Sequence, residues 1–106
     1  MNDLEELAVL ETRGNGAPLA ESRSQVAAAA TIFEFFGGLA PSVRGTIPNA
    51  GEDVLDLVRV EPYGICGFIT PYNAPIFTLA MKAAPALAVG NAVIVKPAEV
   101  TPLAAL

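Results

Sequence analysis

Residues 65–96 read ICGFITPYNAPIFTLAMKAAPALAVGNAVIVK, and the spacing of their apolar residues decides the fold. Residues 65–70 form a short run that is apolar on both faces, as in a central strand of a covered sheet. The run stops at Pro71-Tyr72-Asn73-Ala74-Pro75, where two prolines bracket a polar amide. Pro75 suits the first turn of a helix, and Ile76, Leu79, Ala80, Ala83 and Leu87 then recur at helical spacing as its buried stripe. Pro85 predicts a kink or a restart of that helix. Gly90-Asn91 ends it, residues 92–95 form a second short buried strand, and Lys96-Pro97 leaves that strand. Strand, helix, strand is a βαβ unit, so the fold class is α/β with a partial Rossmann-like parallel sheet. Ligands of such sheets gather at the carboxyl ends of the strands. Thr70-Pro71-Tyr72-Asn73 and Lys96-Pro97-Ala98-Glu99 both fall at such ends.

Upstream, Asp3-Leu4-Glu5-Glu6 reads as an N-cap with a carboxylate three residues on. Leu4, Leu7, Ala8 and Leu10 mark one helical face, and Gly14-Asn15-Gly16 stops the helix. A longer helix is expected from Ser22 or Ser24 to Leu39, with Val26, Ala29, Ala30, Phe33 and Phe36 on one side. Its alanine run, 27–30, permits close approach of a neighbour. Gly37-Gly38 weakens its end and Pro41 forbids continuation. Residues 44–53 are turn-rich. Residues 54–61 suggest a half-exposed strand, and Pro62-Tyr63-Gly64 a turn. Thr101-Pro102 opens a last helix that the sequence leaves at Leu106, which reads as an incomplete chain. No internal repeat and no low-complexity linker is present.

The 106 residues suffice for one small domain, with 53% hydrophobic and 16% charged residues. That balance is too apolar for disorder and high for so small a domain, so some apolar surface is expected to meet partners outside the chain. The net charge is −5, and the six basic residues, Arg13, Arg23, Arg44, Arg59, Lys82 and Lys96, form no patch, which argues against nucleic-acid binding. A single cysteine, Cys66, and no histidine exclude a disulfide framework or a Cys/His metal site within one chain. A lone thiol fits a reducing, cytoplasmic setting. Glu5 and Glu6 stand where a signal peptide needs a basic start and an apolar core. Residues 74–95 are long and apolar enough to suggest a membrane span, but Pro75, Lys82, Pro85, Gly90 and Asn91 interrupt them.

The ordered run Glu61-Pro62, a strand ending in Thr70-Pro71-Tyr72-Asn73, a helix, Lys96-Pro97-Ala98-Glu99 and Thr101-Pro102 resembles the aldehyde dehydrogenase superfamily. Residues 11–22, ETRGNGAPLAES, and Phe35-Phe36-Gly37-Gly38-Leu39-Ala40 are similar to the same family's helices. The resemblance implies an N-terminal fragment of the fold, including part of the NAD-binding domain. It divides the chain into helices of the cofactor domain (1–50), an oligomerisation-type β arm (51–62) and the start of the NAD-binding βαβ unit (63–106). Family members oxidise aldehydes to acids with NAD or NADP, through a cysteine thiolate and a water-activating glutamate. Those two residues lie downstream of the matched region, so the isolated chain is expected to be inactive, and the open apolar edge of a sheet cut after two or three strands is expected to make it poorly soluble. The intact enzyme is expected to be a homo-oligomer acting on an aldehyde, with no nucleic acid or membrane as partner.

Carried over by motif, Asn73 is the amide that meets the oxyanion formed when the thiolate attacks. Read from the residues alone it is first of all an N-cap for the following helix, and the two roles can coexist. Lys96 and Glu99 match the pair that holds the adenosine ribose; the plainer reading is a surface ion pair at a strand exit. A carboxylate at Glu99 would repel a 2′-phosphate, which favours NAD while leaving NADP open. Ile69, Thr70, Pro71, Tyr72 and Ala98 match the wall of the cofactor cleft, with Tyr72 where the family more often has tryptophan. Cys66 does not match the nucleophile and reads as a structural thiol. Lys82 reads as a snorkelling side chain, and Glu52 and Asp53 as loop charges. A truncated, non-catalytic relic or subunit-interaction module is the alternative. A stand-alone dinucleotide-binding domain lacks its G-x-G-x-x-G turn here.

Overall fold

In the computed structural model, which describes residues 3–106, a two-stranded parallel sheet is covered on one face by helices. Helix α1 (Asp3–Asn15) and helix α2 (Leu19–Leu39) come first, and a 3-10 turn, Ala40–Ser42, ends α2. Then follow strand β1 (Ile65–Ile69), helix α3 (Pro75–Ala88), strand β2 (Ala92–Lys96) and a single 3-10 turn at Leu103–Ala105. The expected βαβ unit is present, with Ile65 paired to Ala92 and Ile69 to Lys96. Among the described residues no helix is long and apolar enough to cross a membrane.

Small residues make the core. Ala8, Val26, Ala29, Ala80, Ala83 and Ala84 are its buried apolar members. Alanines let α2 and α3 approach closely, and each loses no side-chain entropy on burial. Thr12 donates its hydroxyl hydrogen to the buried Ser22 oxygen at 2.8 Å, which ties α1 to α2. Ser22 therefore does not cap α2, as expected, but lies inside it. The helix starts earlier, after Pro18, whose carbonyl accepts from the Glu21 and Ser22 amides. Gly16, at φ 77°, takes the left-handed turn that ends α1.

Helix α3 corrects two expectations. It runs through Pro85 without a break. Pro85 offers no N–H to the Met81 carbonyl, but Met81 lies on the exposed side, where water can serve as donor. Leu87 is exposed rather than buried; with Phe33, Gly37 and Ala84 it lines an open apolar groove of about 250 Å³ between the ends of α2 and α3. Phe33 and Ala30 are likewise exposed, and Val26 and Ala29 carry the buried side of α2.

Asn91 locks the amino end of the sheet. It is buried; its side-chain oxygen accepts from the Gly64 amide at 3.1 Å and its Nδ2 donates to the Ala86 carbonyl at 3.0 Å. The Ala92 amide adds a 2.7 Å bond to the Gly64 carbonyl. One side chain thus joins the last turn of α3 to the start of β1.

Residues 54–61 are not a strand. They fold back as one limb of a ribbon held by two isolated antiparallel bridges, Thr46 to Val58 and Asn49 to Leu55. Thr46 and Val58 exchange both backbone bonds at 2.9 Å. Gly45 is required where the limbs meet, since a Cβ there would strike the Val58 carbonyl. Ile47, Val54, Leu55, Leu57, Val58 and Val60 are all exposed on this ribbon. The radius of gyration is 18.3 Å and the long axis 64 Å, against about 13 Å for a compact chain of this length. The outer sheet face is equally bare: Ile65, Ile69 and Ile94 are 63–75% exposed. The sheet is therefore covered on one face only within this chain, not on both as the apolar run of β1 suggests.

Candidate functional site

Parallel pairing brings the two polar clusters to one edge. The ladder runs one step past β1, where the Thr70 amide donates to the Lys96 carbonyl at 3.1 Å. The loops after β1 and β2 therefore leave side by side, about 4.8 Å apart at their roots. Both strands alternate between exposed and half-buried residues, and Ile69 and Lys96 are register partners in the exposed set. Their side chains share the face that α3 does not cover.

Lys96 donates to a Glu99 oxygen at 2.5 Å and to the Pro97 carbonyl at 3.1 Å. The hydrogen bond from Lys96 is the main cause holding the Glu99 carboxyl below the usual carboxylate range. Both side chains are open to solvent, at 55% and 81% exposure, so the pair adds little to stability. Ala98 is half-buried between them.

Asn73 is exposed, and among the described residues its side chain makes no hydrogen bond. It does not cap α3: Ala74 holds the N-cap position, with no side-chain bond to the helix. Thr78 instead donates its hydroxyl hydrogen to the Ala74 carbonyl at 2.8 Å. Pro71 and Tyr72 are exposed beside Asn73, with Tyr72 64% open. Thr70 is buried, and its hydroxyl has no partner among the described residues. Asn73 makes no hydrogen bond to Lys96 or Glu99; what links them is the shared sheet edge.

Two residues at this edge escape the sequence reading. Glu11 of α1 is buried at 1% exposure, under the first turn of α3. Burial pushes its pKa up, and the Ile76 N–H aimed at the carboxyl works against that rise. Asn15 accepts the Ala17 amide on Oδ1 at 2.8 Å, which fixes which end of its amide is nitrogen. That nitrogen faces the Asn73 carbonyl at 3.4 Å and the Glu11 carboxyl at 3.5 Å. A signal existed: Leu4, Leu7 and Ala8 set an apolar face whose next position is Glu11. The groove beside Leu87 plays no part here, because it lies at the far end of α3 from these loops.

The sequence model of the aldehyde dehydrogenase family matches residues 1–106. Betaine aldehyde dehydrogenase 2 of Rhizobium meliloti is 49% identical over 102 residues, covering 95% of this chain and 21% of that protein. The mitochondrial aldehyde dehydrogenase of Leishmania tarentolae is 43% identical over 102 residues, 95% of this chain and 20% of its own. Among solved structures, an NAD-dependent aldehyde dehydrogenase from Sinorhizobium meliloti superposes with a TM-score of 0.93 at 34% identity, over 96% of this chain and 20% of that one. Betaine aldehyde dehydrogenase from Staphylococcus aureus, solved with NAD+, gives 0.92 at 36% identity over 96% and 21%. The chain spans about a fifth of the length of these relatives. It belongs to the aldehyde dehydrogenase family.

Proposed function

We propose that this chain is the part of an NAD-dependent aldehyde dehydrogenase that presents the oxyanion donor and one wall of the cofactor cleft. The observation that carries the reading is the Thr70–Lys96 backbone bond, which sets the Asn73 loop beside the Lys96–Glu99 loop. Asn73 offers a neutral amide that no other side chain among the described residues occupies. A neutral donor meets the charge that develops on the aldehyde oxygen without titrating, and losing one costs about 10²–10³ in rate. The attacking thiolate and the water-activating glutamate come from outside this chain, so residues 1–106 alone do not turn over.

Lys96 and Glu99 fit an adenosine ribose. They are solvent-facing, and an ammonium donor beside a carboxylate acceptor matches two vicinal hydroxyls. Bound NAD would supply the hydride acceptor. Ile69 gives that cleft an apolar floor on the open sheet face, and Thr70, Pro71, Tyr72 and Ala98 line its approach. Lys96 keeps Glu99 ionised, which disfavours a 2′-phosphate and hence NADP. Residues 1–50 and 63–106 act as the helical part and the βαβ start of the cofactor domain. The arm expected at 51–62 pairs back on residues 46–49 and its bare apolar side chains serve subunit contact in an oligomer. The setting is cytoplasmic.

The test is a chimera in which this chain replaces the matching segment of Bacillus subtilis betaine aldehyde dehydrogenase, 43% identical over 102 residues. Asn73→Ala should lower kcat by about 10²–10³ while leaving KM for NAD in place. An unchanged kcat would refute the oxyanion role.

A further inference from the structure

We propose that Glu11 and Asn15, at the end of α1, are positioning residues that hold the Asn73 loop against the start of α3. The proposal rests on the oxyanion reading of Asn73 and explains how an exposed amide on a proline-flanked turn keeps one direction.

Nothing on the Asn73 turn itself fixes that direction. Ala74, the N-cap residue, has no side chain with which to bond the first turn of α3. Glu11 is carried into the interior by the apolar face of α1, and its Oε1 lies 3.5 Å from the Asn15 Nδ2. Asn15, one helical turn later, reaches the carbonyl of Asn73 itself. Its amide cannot swing away, because Oδ1 is held by the Ala17 N–H in the turn that ends α1. The Asn15 nitrogen thus stands between the buried Glu11 carboxyl and the Asn73 carbonyl.

Two further observations mark this joint as more than packing. The second carboxylate oxygen of Glu11 is buried with no partner among the described residues. A carboxyl left partly unpaired in the interior is costly, and an apolar residue would fill the same face of α1 without that cost. The same end of α1 also touches the other loop: a Cβ on Gly14 would lie 4.0 Å from that of Thr101, just past Glu99. One helix end therefore supports both loops of the proposed site.

The test is a double-mutant cycle in the chimera. Glu11→Ala should lower kcat about tenfold with KM for NAD unchanged, since small misplacements of a reacting group cost up to about 10²-fold. Glu11→Gln should recover most of that loss, because its amide oxygen still accepts from the Asn15 Nδ2. Asn15→Ala should cost about threefold on the same reasoning. In an Asn73→Ala background neither change should lower kcat further. Additive losses, or no loss in the Asn73 enzyme, overturn the positioning role; an Asn73→Ala enzyme of full activity overturns the oxyanion reading instead. Amide exchange in the chimera gives a second readout that needs no activity. Ala17, whose N–H is held by the Asn15 Oδ1, should exchange about tenfold faster in Asn15→Ala than in the parent, and equal rates would overturn the hold on the Asn15 amide.

Discussion

Asn73 and Asn91 sit at opposite ends of the same two-stranded sheet, and they spend their amides differently. Asn91 is buried with both ends of its amide engaged, on Gly64 and Ala86. Asn73 is exposed, and its amide meets nothing among the described residues. The same residue type is a staple at the amino edge and an open donor at the carboxyl edge. Stability is concentrated where polar groups are satisfied, and binding capacity is left where they are not. The contrast extends to neighbours: the amino edge closes on backbone bonds, whereas Thr70 and Thr101 leave hydroxyls without partners among the described residues and the Lys96–Glu99 pair stands open to solvent.

The contrast can be broken first at its buried end. Asn91→Ala strands the Gly64 amide, at about 1–3 kcal/mol when buried unpaired, while the Ala86 carbonyl keeps the backbone N–H of residue 91 at 3.1 Å. Urea unfolding of the chimera should therefore show a loss of about 1–3 kcal/mol. A loss under about 0.5 kcal/mol, the level of an ordinary surface change, would mean the staple is ornamental. The open end is sharpened by Glu99→Gln. Removing the carboxylate should narrow the preference for NAD over NADP by about tenfold, read as the ratio of kcat/KM values in the chimera. An unchanged ratio would detach Glu99 from the ribose.

The smallest effect concerns pH. Burial raises the Glu11 pKa in the folded chain above its unfolded value. A raised carboxyl binds its proton more tightly when folded, so its contribution is whole below about pH 4.5 and is lost as pH rises through the folded value. Glu11→Gln should flatten that part of the stability profile. Glu5 has the opposite sign: the hydrogen bond from Arg23 lowers its pKa. Its contribution is present above the unfolded value and fades as pH falls through the folded one. A Glu11→Gln profile that still declines from pH 4.5 upward would assign the decline to another group.

How much of this could be read from the sequence depends on whether the partner of each residue lies nearby. The βαβ unit was legible because glycines and prolines punctuate two apolar runs and one helical stripe, all within residues 65–96. The start of α2 was not, because Ser22 resembles a cap and instead bonds Thr12 across helices. Residues 54–61 carry strand-like side chains, but their backbone pairs only at Leu55 and Val58. Pro85 announces a break that the exposed side of α3 absorbs. At the carboxyl edge of the sheet, the two loops that follow β1 and β2 were legible as neighbours. Glu11 and Asn15 were not, because their partners lie some sixty residues away, as the Asn15–Asn73 contact shows.

The most direct measurement follows kcat and the unfolding midpoint together for Asn73→Ala and Asn91→Ala in the chimera. The account predicts opposite patterns: Asn73→Ala keeps the midpoint and loses about 10²–10³ in kcat, while Asn91→Ala lowers the midpoint and keeps kcat per folded molecule. An Asn73→Ala protein that unfolds early but turns over normally would contradict it.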